Sequence, residues 1–108
     1  DKDKISILNL KGFLDAHTAS DFEKRLQELI DERRYRIILN FKGLNYISSA
    51  GLGVIMGFVE EVRNNGGDIK LVEMNDRIFR VFDLVGFPSL YEIYSEQSQA
   101  EEKFTGKN

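Results

Sequence analysis

The apolar residues of this chain recur with two different periods, and the two periods alternate along the sequence. Residues 4–10 mix alternation with branched side chains, which predicts a strand near a sheet edge with one face only partly covered. Residues 35–41 contain an unbroken apolar run, which predicts a central strand covered on both faces. Two shorter segments, at 69–72 and 91–94, predict a third and a last strand.

Between these strands the apolar positions recur every three or four residues, which predicts helices. The first helix begins near Thr18, and either Thr18 or Ser20 can cap its exposed amides. The second begins near Ser49, carries its apolar face through 50–62 and ends at an Asn-Asn-Gly-Gly turn. The residues predicted to be largely buried are Ile38, Leu39, Leu52, Ile55, Ile69, Leu71 and Phe82.

The third helix begins at Asn75 or Asp76 and ends at Gly86, so strands and helices alternate along the chain. This order predicts one small α/β domain, with a mixed, mostly parallel sheet of about four strands and helices packed against it. The domain is predicted over residues 4–94. The polar segment 95–108 has one large apolar residue and is predicted to be a frayed or loosely helical tail.

Composition narrows the functions that this domain can have. The chain of 108 residues has no cysteine, which excludes disulfides, thiolate metal sites and cysteine nucleophiles. Its formal net charge is -3, so no large basic field is present to bind nucleic acid or an anionic membrane. No apolar run approaches the ~20 residues that span a bilayer. We therefore expect a cytoplasmic protein without a nucleic-acid or membrane partner.

The stretch YISSAGLGVIMG at residues 46–57 places two adjacent serines and three glycines where a loop becomes a helix. Its glycines approximate a dinucleotide-binding fingerprint, and Glu73 follows at about the distance of a ribose-binding acid. However, nine residues separate the preceding strand from Gly51, and the GxGxxxG spacing is one residue too long. The alternative is that Gly53 and Gly57 let the helix approach the sheet or a partner closely. This alternative predicts no cofactor.

No arrangement typical of a catalytic or metal site accompanies the stretch. A serine nucleophile needs a base, but His17 is the only histidine, and the GxSxG elbow is absent. Asp15, Asp21 and Glu23 lie near one helix start, where the helix dipole accounts for them without a metal. The residues thus predict neither an enzyme nor a metal site, and we expect no small-molecule substrate.

The two serines immediately precede the apolar helix, where free amides and the positive end of the helix dipole accumulate. Their hydroxyls can act as caps, or they can accept a phosphate, which a helix start tolerates. A phosphate there would preserve the fold, but its charge would have to be desolvated in any interface formed over it. The residues by themselves leave both roles open.

Three segments, in this order, carry a resemblance to a known family: GFLDAHTA at 12–19, IILNFKGLNYISSAGLGVIMG at 37–57 and GGDIKLVEMNDRIFRVFDLVGF at 66–87. The chain resembles, over about residues 4–94, the STAS domain of bacterial anti-sigma factor antagonists. The resemblance implies a cytosolic domain that binds an anti-sigma factor, itself a serine kinase, and so releases a sigma factor. It also implies that the kinase phosphorylates the antagonist to switch it off, and that a serine phosphatase restores it.

Members of that family usually carry Asp-Ser-Ser-Gly or Asp-Ser-Thr-Gly, where this chain has Ser48-Ser49-Ala50-Gly51. Ala50 cannot accept a phosphate. The resemblance therefore implies Ser49 as the acceptor, with Ser48, which stands at the position of the family's Asp, as the alternative.

The partner-binding surface that we expect combines residues 14–18 with residues 47–53, because both segments lie between a strand and the following helix. Met56 or Phe58, whichever faces outward, is expected to extend it. The residues assigned to this surface are Leu14, Asp15, His17, Thr18, Ile47, Ser48, Ser49, Ala50, Gly51, Gly53 and Met56.

Two other functions are compatible with the same sequence. The domain can be a constitutive STAS scaffold or regulatory subunit in a stress-signalling or lipid-transport assembly, which Ala50 and the missing Asp favour. Alternatively, the glycine run can bind or turn over a nucleotide.

Overall fold

Strands and helices alternate along the chain. A computed structural model describes residues 4–106. Its elements are β1 (Ile5–Leu14), α1 (Ala19–Asp31), β2 (Arg36–Ile47), α2 (Ser49–Asn64), β3 (Asp68–Val72), α3 (Asp76–Leu84), a short 3-10 helix (Phe87–Ser89), β4 (Ile93–Tyr94) and α4 (Gln97–Thr105). Within residues 4–106, no helix is long and apolar enough to cross a bilayer.

The four strands form one sheet in the order β1-β2-β3-β4, and all three pairings are parallel. β1 lies at an edge of the sheet and β2 in its interior, as their hydrophobic patterns predict. Each crossover helix returns the chain to the same end of the sheet, so the carboxyl ends of the strands meet at one edge. The predicted small α/β domain with a mostly parallel sheet of about four strands is confirmed, although the sheet is parallel throughout rather than mixed.

The main core lies on one side of the sheet, beneath α1, α2 and α3. Phe22 of α1, Ile55 of α2 and Phe82 of α3 belong to one apolar cluster with Ile37 and Leu39 of β2. Full burial of side chains of this size contributes about 1.5–3 kcal/mol each. The residues predicted to be buried are all buried, namely Ile38, Leu39, Leu52, Ile55, Ile69, Leu71 and Phe82.

The C-terminal segment differs from the predicted frayed or loosely helical tail. Residues 97–105 form the regular helix α4, which packs on the side of the sheet opposite to α1, α2 and α3. Ala100 is fully buried there against Ile38 and Val72, and Phe104 packs beside them. The composition of this segment suggests too little order, because most of the apolar residues in this contact belong to the sheet and not to the helix.

Polar contacts hold the amino end of α4. Glu96 and Gln99 form a reciprocal capping box at its first turn. The carboxylate of Glu73 also accepts a hydrogen bond from the amide of Gln97, at 3.0 Å. These contacts give α4 a defined start. The few apolar residues of the helix would not define this start by themselves.

β1 and β2 are longer than predicted. β2 pairs with β3 only as far as Asn40, whereas β1 and β2 remain paired as far as Leu14 opposite Ile47. The predicted end of the second strand at Phe41 is therefore wrong, and so is the predicted loop before α2, because residues 42–47 continue the strand. We call the paired residues 10–14 and 41–47 the β1–β2 ribbon. The ribbon extends past the last residue of β3 and leads directly into the segments that precede α1 and α2.

Candidate functional site

The segments before α1 and α2 meet at the carboxyl end of the sheet. Leu14 and Ile47 end the two strands of the β1–β2 ribbon as register partners. The amide of Ser48 donates a hydrogen bond to the carbonyl oxygen of Leu14 at 2.9 Å. The structure thereby brings the two halves of the predicted partner-binding surface together.

Three of the residues assigned to that surface are buried inside the domain. Leu14 and Ile47 are only 5% and 4% exposed, and Gly51 lies between them. A Cβ atom on Gly51 would lie 2.8 Å from Cγ of Leu14 and 3.0 Å from Cγ1 of Ile47, which is closer than packed carbon atoms approach. These three residues therefore position the start of α2, and the side chains of Leu14 and Ile47 are not available to a partner.

The remaining assigned residues reach solvent to different extents. Met56 is 54% exposed whereas Phe58 is buried, so Met56 is the one that faces outward. Asp15, Ser48 and Ala50 are partly exposed. The fully exposed members are His17, Thr18, Ser49, Gly53 and Met56.

A compact hydrogen-bonded turn precedes α1. The carboxylate of Asp15 accepts hydrogen bonds from the amides of His17, at 2.9 Å, and Thr18, at 3.2 Å. Oγ1 of Thr18 accepts from the amide of Asp15 and donates to the carbonyl oxygen of Phe13, both at 2.9 Å. The bonds from Thr18 and His17 lower the pKa of Asp15 below its ordinary value, because they favour the carboxylate.

This turn corrects the predicted capping of α1. Thr18 is the residue before the helix, but its side chain makes no capping hydrogen bond to α1. Its hydroxyl is instead engaged with Asp15 and Phe13, on the strand side of the turn. The side chain that satisfies backbone amides at this position is that of Asp15, which the sequence placed only in the field of the helix dipole.

The start of α2 has no comparable network. Ser48 has the extended backbone of an N-cap residue, with φ -96° and ψ 174°, but its side chain makes no capping hydrogen bond. Its Oγ is enclosed by protein atoms and has no hydrogen-bond partner among residues 4–106. The first turn of α2 also has no acidic residue. The amino end of α2 therefore has neither a side-chain cap from Ser48 nor an acidic residue in its own first turn.

The two adjacent serines differ in accessibility. Ser49 is the first residue of α2 and is exposed, whereas the hydroxyl oxygen of Ser48 is enclosed. Ser48 donates its amide to Leu14 at the end of the β1–β2 ribbon, whereas Ser49 already lies in the first turn of α2. Only one of the two hydroxyls is thus accessible from solvent.

The glycines of α2 have separate roles. Gly53 and Gly57 line an open groove between α1 and α2, and a Cβ atom on either would meet nothing within 4 Å. The hypothesis that they bring the helix close to the sheet is therefore wrong, since Gly51 makes the close approach. Glu73, the predicted ribose-binding acid, binds the amide of Gln97 on the other side of the sheet. The structure does not assemble a dinucleotide site from these residues.

The acidic residues near α1 do not converge. In the part of the chain that the structure describes, no group of three or more His, Cys, Asp or Glu side chains is arranged to hold a metal ion. Asp15 is engaged by backbone amides, and Asp21 lies in the first turn of α1, where the dipole favours its charge.

Two exposed aromatic side chains border the surface and were not predicted. Phe13 is 61% exposed and Tyr46 is 49% exposed, and both lie on the β1–β2 ribbon. The hydrophobic pattern did not indicate them, because the first predicted strand covers only residues 4–10 and Tyr46 falls in the predicted loop before α2. The signal that could have shown them is the presence of Gly12 and Gly43, since glycine within a strand often marks a bulge, and both glycines lie where the ladder is irregular.

Comparison with known proteins agrees with this fold. Residues 1–100 match the model of the STAS domain family. The anti-sigma F factor antagonist of Paenibacillus polymyxa is 31% identical over 97 residues, which cover 89% of this chain and 83% of that protein. The anti-sigma-B factor antagonist of Bacillus subtilis is 32% identical over 87 residues, 80% of this chain and 78% of that protein.

Solved structures share the fold. The anti-sigma factor antagonist SpoIIAA in its unphosphorylated form matches with a TM-score of 0.85 at 21% identity, covering 98% of this chain and 92% of that one. TM1081 of Thermotoga maritima matches with a TM-score of 0.89 at 27% identity, covering 97% and 90%. On the family match and the two identities above 30%, the chain belongs to the STAS domain family, among the bacterial anti-sigma factor antagonists.

Proposed function

We propose that this protein binds an anti-sigma factor that is a serine kinase, and so releases a sigma factor. The relatives from Paenibacillus polymyxa and Bacillus subtilis, which are named as antagonists of anti-sigma factors, support this proposal. The binding surface consists of the exposed residues of the two segments before α1 and α2, together with Met56.

Ser49 is the residue at which the kinase switches the protein off. The observation that carries this assignment is the contrast between the exposed Ser49 and the enclosed hydroxyl oxygen of Ser48. A kinase must bring ATP to within bonding distance of the acceptor oxygen. Of the two serines, only Ser49 is exposed and lies in the first turn of α2. Ala50 has no hydroxyl, so it offers no competing site.

A phosphate on Ser49 separates folding from binding. Negative charge at a helix start is favourable by about 0.3–1 kcal/mol, and the first turn of α2 contains no acidic residue to oppose it. In an interface over the same turn, the phosphate would lose its water, and an unpaired buried charge costs several kcal/mol. The modification thus leaves the domain folded and removes the partner, until a serine phosphatase takes the phosphate off.

The test uses the anti-sigma factor kinase of the source organism and ATP. Mass spectrometry should find one phosphate, on Ser49. Ser49→Asp should weaken binding of the kinase by a factor of about 10 or more in calorimetry while the thermal midpoint stays nearly unchanged. Ser49→Ala should bind and remain bound in the presence of ATP.

Ser20 provides a matched control, because it is an exposed serine in the first turn of the neighbouring helix α1. Ser20→Asp should leave the affinity for the kinase nearly unchanged. A phosphate on Ser48 would move the acceptor by one residue. Equal losses of affinity for Ser20→Asp and Ser49→Asp would show that a general charge effect, and not a local switch, is responsible.

A constitutive scaffold or regulatory subunit is the second candidate function. Two sequence features favour it, since Ala50 replaces a hydroxyl residue and Ser48 replaces the Asp of the resembling family. In this case the same surface binds a partner in a stress-signalling or lipid-transport assembly without being switched. Binding of the kinase without any phosphate transfer in an otherwise active reaction would favour this candidate.

A further inference from the structure

Phe13 and Tyr46 form an exposed aromatic pair on the β1–β2 ribbon. They are register partners, and their ring centroids lie 5.9 Å apart at an interplanar angle of 57°. Both rings contact each other, yet Phe13 remains 61% exposed and Tyr46 49% exposed. Large aromatic surfaces in contact with water are unfavourable, and aromatic residues are enriched at protein interfaces.

The irregular pairing of the ribbon produces this exposure. Between Asn9 and Lys11, and again between Gly12 and Phe13, β2 gains one residue relative to β1. Such bulges change the direction in which the following side chains point. Gly12 has φ +68°, a backbone conformation that allows β1 to stay paired with the bulged β2. Oδ1 of Asn40 accepts a hydrogen bond from the amide of Lys42 at 2.9 Å, which stabilises the start of the irregular ladder.

In the part of the chain that the structure describes, the pair also has no neighbouring strand to cover it. The last paired residue of β3 is Val72, opposite Asn40, so the ribbon beyond this point has β1 and β2 alone. The cluster beneath α4 consists of other residues and does not include either ring. Among residues 4–106, the aromatic ring that each of them contacts is the ring of the other.

The pair is joined rigidly to the candidate site. The carbonyl oxygen of Phe13 accepts from Oγ1 of Thr18 at 2.9 Å, and the following residue, Leu14, accepts from the amide of Ser48. Tyr46 lies two residues before Ser48 in the same strand and loop. Each ring thus lies two residues along the chain from a residue of the candidate site, Phe13 from Asp15 and Tyr46 from Ser48.

We propose that Phe13 and Tyr46 are the anchor of the interface with the anti-sigma factor, inserting together into an apolar pocket on that protein. This inference rests on the proposed function, and it names where the affinity comes from. A few central aromatic side chains carry most of the affinity in many interfaces, and neighbouring polar contacts exclude water. The anchor supplies affinity, and the charge state of Ser49 decides whether the adjoining surface can close.

The test measures binding of the anti-sigma factor kinase of the source organism to matched alanine variants. Phe13→Ala and Tyr46→Ala should each weaken binding by a factor of about 10 or more, and the double variant by more than either. Tyr46→Phe should bind within about threefold of the wild type, because it keeps the ring. Phe79, a 40% exposed aromatic residue on α3, supplies the control, and Phe79→Ala should also bind within about threefold.

The outcomes separate the anchor from the proposed function. If the wild type binds and the double variant, with an unchanged thermal midpoint, binds equally well, the anchor is wrong and the proposed function stands. If the wild type does not bind the kinase at all, both are wrong. If the wild type is a dimer in solution and the double variant a monomer, the pair binds a second copy of this chain, which overturns the assignment to the anti-sigma factor.

Discussion

The starts of α1 and α2 lie at the same edge of the sheet, but they are held in different ways. At α1, Asp15 and Thr18 bind backbone groups with their side chains, and the turn is closed by hydrogen bonds. At α2, Ser48 makes no side-chain capping bond, and the contact of Gly51 with Leu14 and Ile47 holds the helix. One start is fixed by polar contacts and the other by packing.

This difference supports the proposed switch at α2. Adding a negative group at the α1 turn would place it beside the Asp15 carboxylate, which already occupies the backbone amides. At α2, a negative group meets a helix end with no acidic residue in its first turn. Because packing beneath the helix does not involve the Ser49 side chain, the charge there can change without changing the core.

The largest effect is expected where packing holds α2. Gly51→Ala should lower the free energy of unfolding by about 1–3 kcal/mol, because the new methyl group meets Leu14 and Ile47. Gly53→Ala is the matched control on the open side of the helix, and it should raise the free energy of unfolding by up to about 1 kcal/mol. Urea unfolding of both variants checks this, and a change of the same sign in both would contradict the packing account.

An intermediate effect should distinguish the two residues that precede the helices. Thr18→Ala removes the hydrogen bonds to the amide of Asp15 and the carbonyl oxygen of Phe13, so it should cost about 1–2 kcal/mol of stability. Ser48→Ala should change stability by less than about 0.5 kcal/mol, because the hydroxyl that it removes has no partner. A larger loss for Ser48→Ala than for Thr18→Ala in chemical denaturation would show that Ser48 caps α2 in solution.

The smallest effect should be a change in pH dependence at α1. Hydrogen bonds from Thr18 and His17 lower the pKa of Asp15 in the folded state, so its carboxylate stabilises the fold fully above the unfolded pKa of about 3.9. This contribution is lost as the pH falls through the folded-state pKa. Asp15→Asn keeps an acceptor oxygen but has no charge to lose.

The stability difference between wild type and Asp15→Asn should therefore be present near about pH 6 and shrink toward about pH 3. Thermal unfolding across this range measures it. A difference that stays constant down to the lowest pH would mean that the charge of Asp15 does not stabilise the turn.

The strands were predictable because a strand that is buried on one face or on both shows this directly in its pattern of apolar residues. The run Ile37-Ile38-Leu39 has no alternation, and the structure shows why: Ile37 and Leu39 pack beneath α1 and α2, while Ile38 packs beneath α4. The third helix was equally clear, since the side chain of Asn75 accepts the amide of Ile78 at 2.8 Å, as an N-cap residue does.

The ribbon and α4 were not predictable in this way. Residues 42–47 contain glycine and polar residues because the ribbon is bulged and largely exposed, and this composition is also typical of loops. α4 has one fully buried residue, Ala100, and it depends on a sheet face formed by residues distant in sequence. Neither element satisfies a local hydrophobic pattern.

The sequence by itself determined the alternation of strands and helices, the parallel sheet and the family, because each depends on patterns within short segments or on their order. It also located the serine pair at the start of α2. Only the tertiary structure decided which hydroxyl of the pair reaches solvent, because that depends on how the segment before α2 packs against the end of β1, which is distant in sequence. The tertiary structure was also needed to show that Phe13 and Tyr46 are exposed. The direction of a side chain on a bulged ribbon depends on how the two strands pair, and neither strand's own sequence specifies this pairing.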